Sequence, residues 1–145
     1  MRDLRNSYPA NSTASENSTV LVVSDEREDH GALDGILAQS GWSLRHCANC
    51  AQARDALRQN RNSVIVTERR LPDGNWRDIL ELTGGDGVVV VACKYADEEL
   101  WAEVLNVGGY DLLLKPFNGS EVTRVMASAA RVFRSERGAD VNSFN

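Results

Sequence analysis

Val20-Leu21-Val22-Val23 runs straight into Ser24-Asp25-Glu26, four apolar residues followed by an acidic turn. A short, continuous, β-branched run that stops at polar residues suits a strand buried on both faces, as in a parallel sheet. Four further runs read the same way: Trp42 to His46, Val64-Ile65-Val66, Val88 to Ala92, and Leu112-Leu113-Leu114. Helical stripes fill the intervals. Leu33, Ile36 and Leu37 lead to Gly41, a suitable helix stop, and Ala53, Ala56 and Leu57 form a second stripe. Trp76, Ile79, Leu80 and Leu82 form a third, with Asn75 as N-cap and Asp78 in the first turn. Leu100, Trp101, Val104 and Leu105 make the fourth. Val122, Val125, Met126, Ala129, Val132 and Phe133 make the fifth, headed by Asn118 and Glu121 in the pattern of a capping box. Five strands alternating with five helices predict an α/β fold, a doubly wound parallel sheet with right-handed crossovers.

Composition narrows the function classes. The chain has 145 residues, 42% of them hydrophobic, enough for one domain with one core. A net charge of −5 lacks the basic footprint of a nucleic-acid module, so no nucleic-acid binding by this domain is expected. No segment approaches the roughly 20 apolar residues that span a bilayer. Arg2 and Arg5 have no apolar stretch behind them, so the N-terminus does not read as a secretory signal, and a cytoplasmic location is expected. Three cysteines do not make a disulfide framework. Residues 1–19, rich in Ser, Asn and Thr, read as a flexible arm, 20–134 as the folded domain, and 135–145 as a flexible tail. The stretch after Phe133 is too short for an output domain, so the domain stands alone or belongs to a larger regulator.

Ligands of doubly wound sheets sit at the carboxyl ends of strands, near the switch in strand order. The first strand ends in Ser24-Asp25-Glu26 and the third in Thr67-Glu68-Arg69-Arg70. The fourth ends in Cys93-Lys94 and the fifth in Lys115-Pro116-Phe117. On one edge these place carboxylates opposite an ammonium. Clustered carboxylates attract a hard cation such as Mg2+, and a lysine beside them either neutralises them or meets a phosphoryl group.

Over Val20 to about Phe133 the sequence resembles the receiver domains of two-component response regulators. Val20 to Glu26 is similar to the family's opening strand and acidic turn, and Leu71-Pro72-Asp73-Gly74 to the loop after its third strand. Leu113-Leu114-Lys115-Pro116-Phe117 is similar to its lysine–proline ending, and Gly108-Gly109 to the small pair before the last strand. The resemblance implies a flavodoxin-like sheet of order 2-1-3-4-5 and a role in phosphorelay signal transduction. It assigns Asp25, beside Glu26, to direct Mg2+ ligation, and it puts Ser24 where a second acidic residue belongs. Counting back from Pro72, Glu68 takes the place of the phosphorylated aspartate, and the backbone carbonyl of Arg70 would face the metal. Cys93 stands for a phosphate-gripping threonine or serine. Leu112 stands for an aromatic switch, Lys115 for the phosphate-contacting lysine, and Lys115–Pro116 for a cis bond.

Four of these positions depart from the family's pattern, and all weaken the same switch. Glutamate for aspartate moves the carboxylate by roughly 1 Å, a displacement that can cost about a hundredfold in rate. Serine at 24 removes charge from a hard-cation site, so any Mg2+ site is weakened. Cysteine offers only a weak S–H donor, and Leu112 has no ring to swing. The resulting expectation is an atypical, non-enzymatic receiver that works by docking to a histidine kinase or downstream target. Its surface would be the fourth helix, fifth strand and fifth helix, with Tyr95, Trp101 and Tyr110, and homodimers could use the same face. The plainer reading of Trp101 is core. A conventional Mg2+-dependent phospho-acceptor is the near alternative. From another class, Cys47-Ala48-Asn49-Cys50 could be a redox couple at a helix mouth, or supply metal ligands with His46. His30 and His46 read as surface residues. Dinucleotide, phosphate-loop and nucleophile-elbow motifs are missing from the sequence.

Overall fold

A computed structural model describes residues 19–59, 64–85, 87–95 and 97–143. Five strands form one parallel sheet: β1 (Thr19–Val23), β2 (Ser43–Cys47), β3 (Val64–Glu68), β4 (Val88–Cys93) and β5 (Asp111–Leu114), in the order β2-β1-β3-β4-β5. Between them run α1 (Arg27–Leu37), α2 (Cys50–Gln59), α3 (Trp76–Thr83), α4 (Glu98–Asn106) and, last, α5 (Gly119–Ser143). The first part of the arm expected over 1–19 lies outside the described residues, and β1 already includes Thr19. The backbone of α5 stays helical to Ser143, past position 134 where composition places the end of the domain.

Alternation along the strands feeds two opposite layers. Val20 and Val22 of β1, with Val64, Val66, Val88 and Val90, pack under Leu33 and Leu37 of α1 and the Val122, Val125, Met126 and Ala129 stripe of α5. Leu21, Val23, Ile65 and Val89 face the other way, against Ala53 and Ala56 of α2 and Ile79 of α3. Burial of strand residues on both faces is why the runs read as continuously apolar. The edge strand β2, covered less, is the half-exposed exception.

Local chemistry sets the element ends. Asn75 caps α3 by accepting from the Arg77 amide at 2.8 Å, while Asp78 accepts from the Asn75 amide at 2.9 Å, a complete capping box. At α5 the Glu121 amide donates to the Asn118 side chain at 3.0 Å. Asp73, in the Leu-Pro-Asp-Gly loop, accepts from the Cys50 and Ala51 amides at 2.7 and 3.0 Å, and so caps α2 from a distant loop. That loop closes as a two-residue hairpin, Arg70–Leu71 against Gly74–Asn75. Gly109 has no room for a side chain: a Cβ there would lie 2.5 Å from Val104 Cγ1 and 3.0 Å from its carbonyl. The small pair thus lets α4 turn tightly into β5.

Strand order reverses between β1 and β3, and their carboxyl ends open a crevice there. Ladder bonds continue past the strands into this rim. The Ser24 amide donates to Cys47 O at 2.9 Å, Arg69 to Ala92 O at 3.1 Å, and Lys115 to Cys93 O at 2.9 Å. These bonds hold the backbones of the site residues rigidly.

Candidate functional site

Lys115 sits at the centre of the rim, its side chain only 6% exposed. Its ammonium donates to Asp29 Oδ2 at 3.0 Å, contacts Glu68 Oε2 closely, and lies 3.5 Å from Glu26 Oε1. An ammonium has three hydrogens, and three carboxylates surround it. Ser24, buried at the end of β1, donates its hydroxyl to Asp29 Oδ2 at 2.7 Å and accepts from the Glu26 amide at 3.1 Å. The Lys115–Pro116 peptide that follows is cis.

The electrostatics follow from this packing. Burial raises Glu68, and a hydrogen bond to Asp29 adds to it; Lys115 opposes both, leaving the carboxyl at about 7. Burial also acts to raise Asp29, but hydrogen bonds from Glu68, Ser24 and Lys115 outweigh it and hold Asp29 below the usual range. Lys115 is disfavoured as a cation by burial, yet its two carboxylate partners raise its pKa and keep it charged. Two carboxyls crowded beside one fixed ammonium share out the charge of the pocket.

Three expected site residues, Glu26, Glu68 and Lys115, meet here. Asp25 does not. Side chains at a strand end alternate in direction, so Ser24 turns inward and Asp25 outward to solvent. The carboxylate that joins Glu26 and Glu68 at Lys115 comes instead from Asp29, in the first turn of α1. Among the described residues, Glu26, Asp29 and Glu68 form the group whose oxygens lie within 4.8 Å of one another. A sequence signal for Asp29 did exist, because positions 29, 33 and 37 share a helix face and 33 and 37 are apolar. Arg70 pairs with Asn75 in the hairpin, exposed to solvent. Cys93 and Leu112 are buried beside Trp76, Val91, Leu100 and Val104, and burial raises the Cys93 thiol.

The aromatic residues divide. Tyr95 is exposed, whereas the Tyr110 ring packs on the core and its hydroxyl lies 2.5 Å from Ser128 Oγ. Trp101 is 46% exposed, which overturns the core reading: the α4 stripe buries Leu100 and Val104 and turns Trp101 outward with Leu105. Trp101→Ala is therefore expected to cost under about 1 kcal/mol in urea unfolding. A loss of about 3–5 kcal/mol, the size for a core aromatic, would mean the ring is packed. The Cys-x-x-Cys reading also fails on geometry. Cys47 is core, and burial and then Asp73 push the Cys50 thiol up to about 11, the opposite of an activated redox thiol.

A family model described as the response regulator receiver domain matches residues 20–127. This chain belongs to that family. The receiver is 32% identical over 108 residues to the probable transcriptional regulatory protein TcrX of Mycobacterium tuberculosis, covering 72% of this chain and 46% of that protein. It is 25% identical over 119 residues to the response regulator protein PilR of Pseudomonas aeruginosa, covering 80% of this chain and 27% of PilR. The receiver thus spans less than half the length of these two curated relatives. In fold it matches the signal receiver domain of an HD domain-containing protein from Pseudomonas fluorescens Pf-5, with a TM-score of 0.77 at 20% identity over 86% of this chain and 94% of that one. Its role is that of a receiver in two-component signalling. No helix among the described residues is long and apolar enough to cross a membrane.

Proposed function

We propose that this receiver is atypical, is not switched by ordinary phosphorylation, and signals by docking to protein partners. The carrying observation is the Glu68 carboxylate resting on the Lys115 ammonium, where the family's phosphorylated aspartate and its lysine are expected. Glu68 lies beside Asp29 and is held by Lys115, so its oxygens are engaged rather than poised for attack. Glutamate imitates a phosphoryl group only in part, with one charge and two oxygens against roughly −1.5 to −2 and three. Holding a two-state domain mostly on takes about 5.5 kcal/mol of differential stabilisation, more than one such contact supplies. The state is fixed, without being a full imitation of the phosphorylated form.

Glu26, Asp29 and Glu68 offer the oxygen donors a hard cation takes, and these are the residues that would hold Mg2+. Bound there, Mg2+ supplies positive charge to a phosphoryl group's oxygens. Lys115 already lies among the same three carboxylates, so the metal must compete with it, which supports a weakened site. An open depression of about 430 Å3, lined in part by Lys94, Tyr95 and Phe117, gives access to Lys115 from solvent. The docking face is α4 with its outward Trp101 and Leu105, suited to a histidine kinase, a downstream target or a second copy. In this reading the domain is cytoplasmic, catalyses no reaction of its own and binds no nucleic acid.

The test is acetyl phosphate with Mg2+, read by mass spectrometry. No stable gain of a phosphoryl group is expected, and one located on Glu68 would restore the conventional switch. Beryllofluoride, a phosphoryl mimic, should likewise leave amide NMR signals from Glu68 to β5 in place.

A further inference from the structure

The chain has two histidines, and the fold brings them together. His30 lies on α1 and His46 on the edge strand β2, yet their Nδ1 atoms are 2.6 Å apart, with ring planes at 83°. The opposite nitrogens are both engaged. His30 Nε2 lies 2.8 Å from the Ser24 carbonyl oxygen, and His46 Nε2 lies 3.1 Å from Asp34 Oδ1. A carbonyl and a carboxylate only accept, so each Nε2 carries the ring hydrogen. In neutral rings that leaves two Nδ1 lone pairs facing each other at a distance where they repel without a cation between them.

We infer that His30 and His46 form a surface site for one divalent transition-metal ion such as Zn2+, bound by the two Nδ1 atoms. Metal-ligating histidines characteristically donate their other N–H to a carboxylate or backbone carbonyl, which fixes the tautomer. Here both rings do so, one to each kind of acceptor. Imidazole nitrogen suits Zn2+, Cu2+ and Ni2+ and not Mg2+, so this site differs in chemistry from the carboxylate cluster at Lys115. With metal–nitrogen distances of about 2.0–2.1 Å and tetrahedral angles, the nitrogens must sit about 3.3 Å apart. The rings therefore part by roughly 0.7 Å on binding, which the solvent-exposed edge allows: the His46 side chain is 37% exposed. The remaining positions go to water. Ser24 links the two sites, because its carbonyl holds His30 while its hydroxyl holds Asp29.

Calorimetric titration of the full chain with zinc chloride tests this. One Zn2+ per chain is expected, and either His30→Gln or His46→Gln should weaken it at least tenfold. Asp34→Ala, which keeps both ligands and removes one orienting acceptor, should weaken it by about 10- to 100-fold. In long-range 1H–15N spectra, zinc should move both Nδ1 signals and leave both Nε2 protonated. Circular dichroism checks folding, and if one histidine variant does not fold, the other decides. Zinc binding that survives the histidine variants, that vanishes only with Cys50→Ser or Glu26→Gln, or that is undetectable at millimolar metal would overturn the site.

Discussion

Lys115→Met is expected to destabilise the domain by about 3–5 kcal/mol at pH 8, lowering Tm by roughly 10–20 °C. Methionine fills the space of the aliphatic stem, so the loss isolates the charge. Without the ammonium, Asp29 and Glu68 face each other across a pocket where their side chains are only 8% and 13% exposed. Breaking a buried pair by removing one partner is costly because the other charge stays behind uncompensated. A buried carboxyl can also escape by taking a proton. The cost should therefore shrink as pH falls to about 5.5, and adding Glu68→Gln should recover part of it at pH 8. Urea unfolding of the unsubstituted protein and of these two variants at both pH values checks this. A cost below about 1 kcal/mol at pH 8 would show that Lys115 is not the counter-charge of the pocket.

The second large effect is on pH dependence without any substitution. Glu68 moves from 4.5 in the unfolded chain to about 7 in the folded one. Between those values the folded state binds more protons than the unfolded state, so stability falls as pH rises through the window and levels off above it. The other two groups do not share that window. Asp29 is lowered, so its contribution is present above 3.8 and is lost only as pH falls below that value. Lys115 is raised, so its contribution is complete everywhere below 10.5. Glu68→Gln should remove a loss of between about 1 and 3 kcal/mol across pH 4.5–7, measured as the difference between the two unfolding curves. Curves of equal slope would mean that Glu68 titrates like a solvated side chain. Such a result would also remove the support for an engaged, unreactive glutamate.

Both predictions depend on a pocket that was legible only in part. Glu68 and Lys115 could be placed because each stands at a fixed offset from a proline that marks its loop, Pro72 and Pro116. Asp29 carries no strand-end signal, because the acidic residues that directly follow β1 are 25 and 26. It is a charged residue on an otherwise apolar helix face, a pattern that marks a buried partner but does not say which one. That partner is 86 residues away. The redox reading of the cysteines likewise came from spacing and helix position, and burial against the sheet reversed it.

By itself the sequence determined the strands, the helices and their order, since these follow from short-range periodicity and from caps that act within one turn. It also places glutamate, serine, cysteine and leucine at the four positions that the family resemblance assigns to the switch. Tertiary structure alone decided which carboxylate turns toward Lys115, that Trp101 points outward while Tyr110 binds Ser128, and that two histidines sixteen residues apart share one edge. The physical reason is range: periodicity says that a residue is buried or exposed, whereas partnership depends on how α1 lies across β1 and β2, and that is set by packing of the whole core.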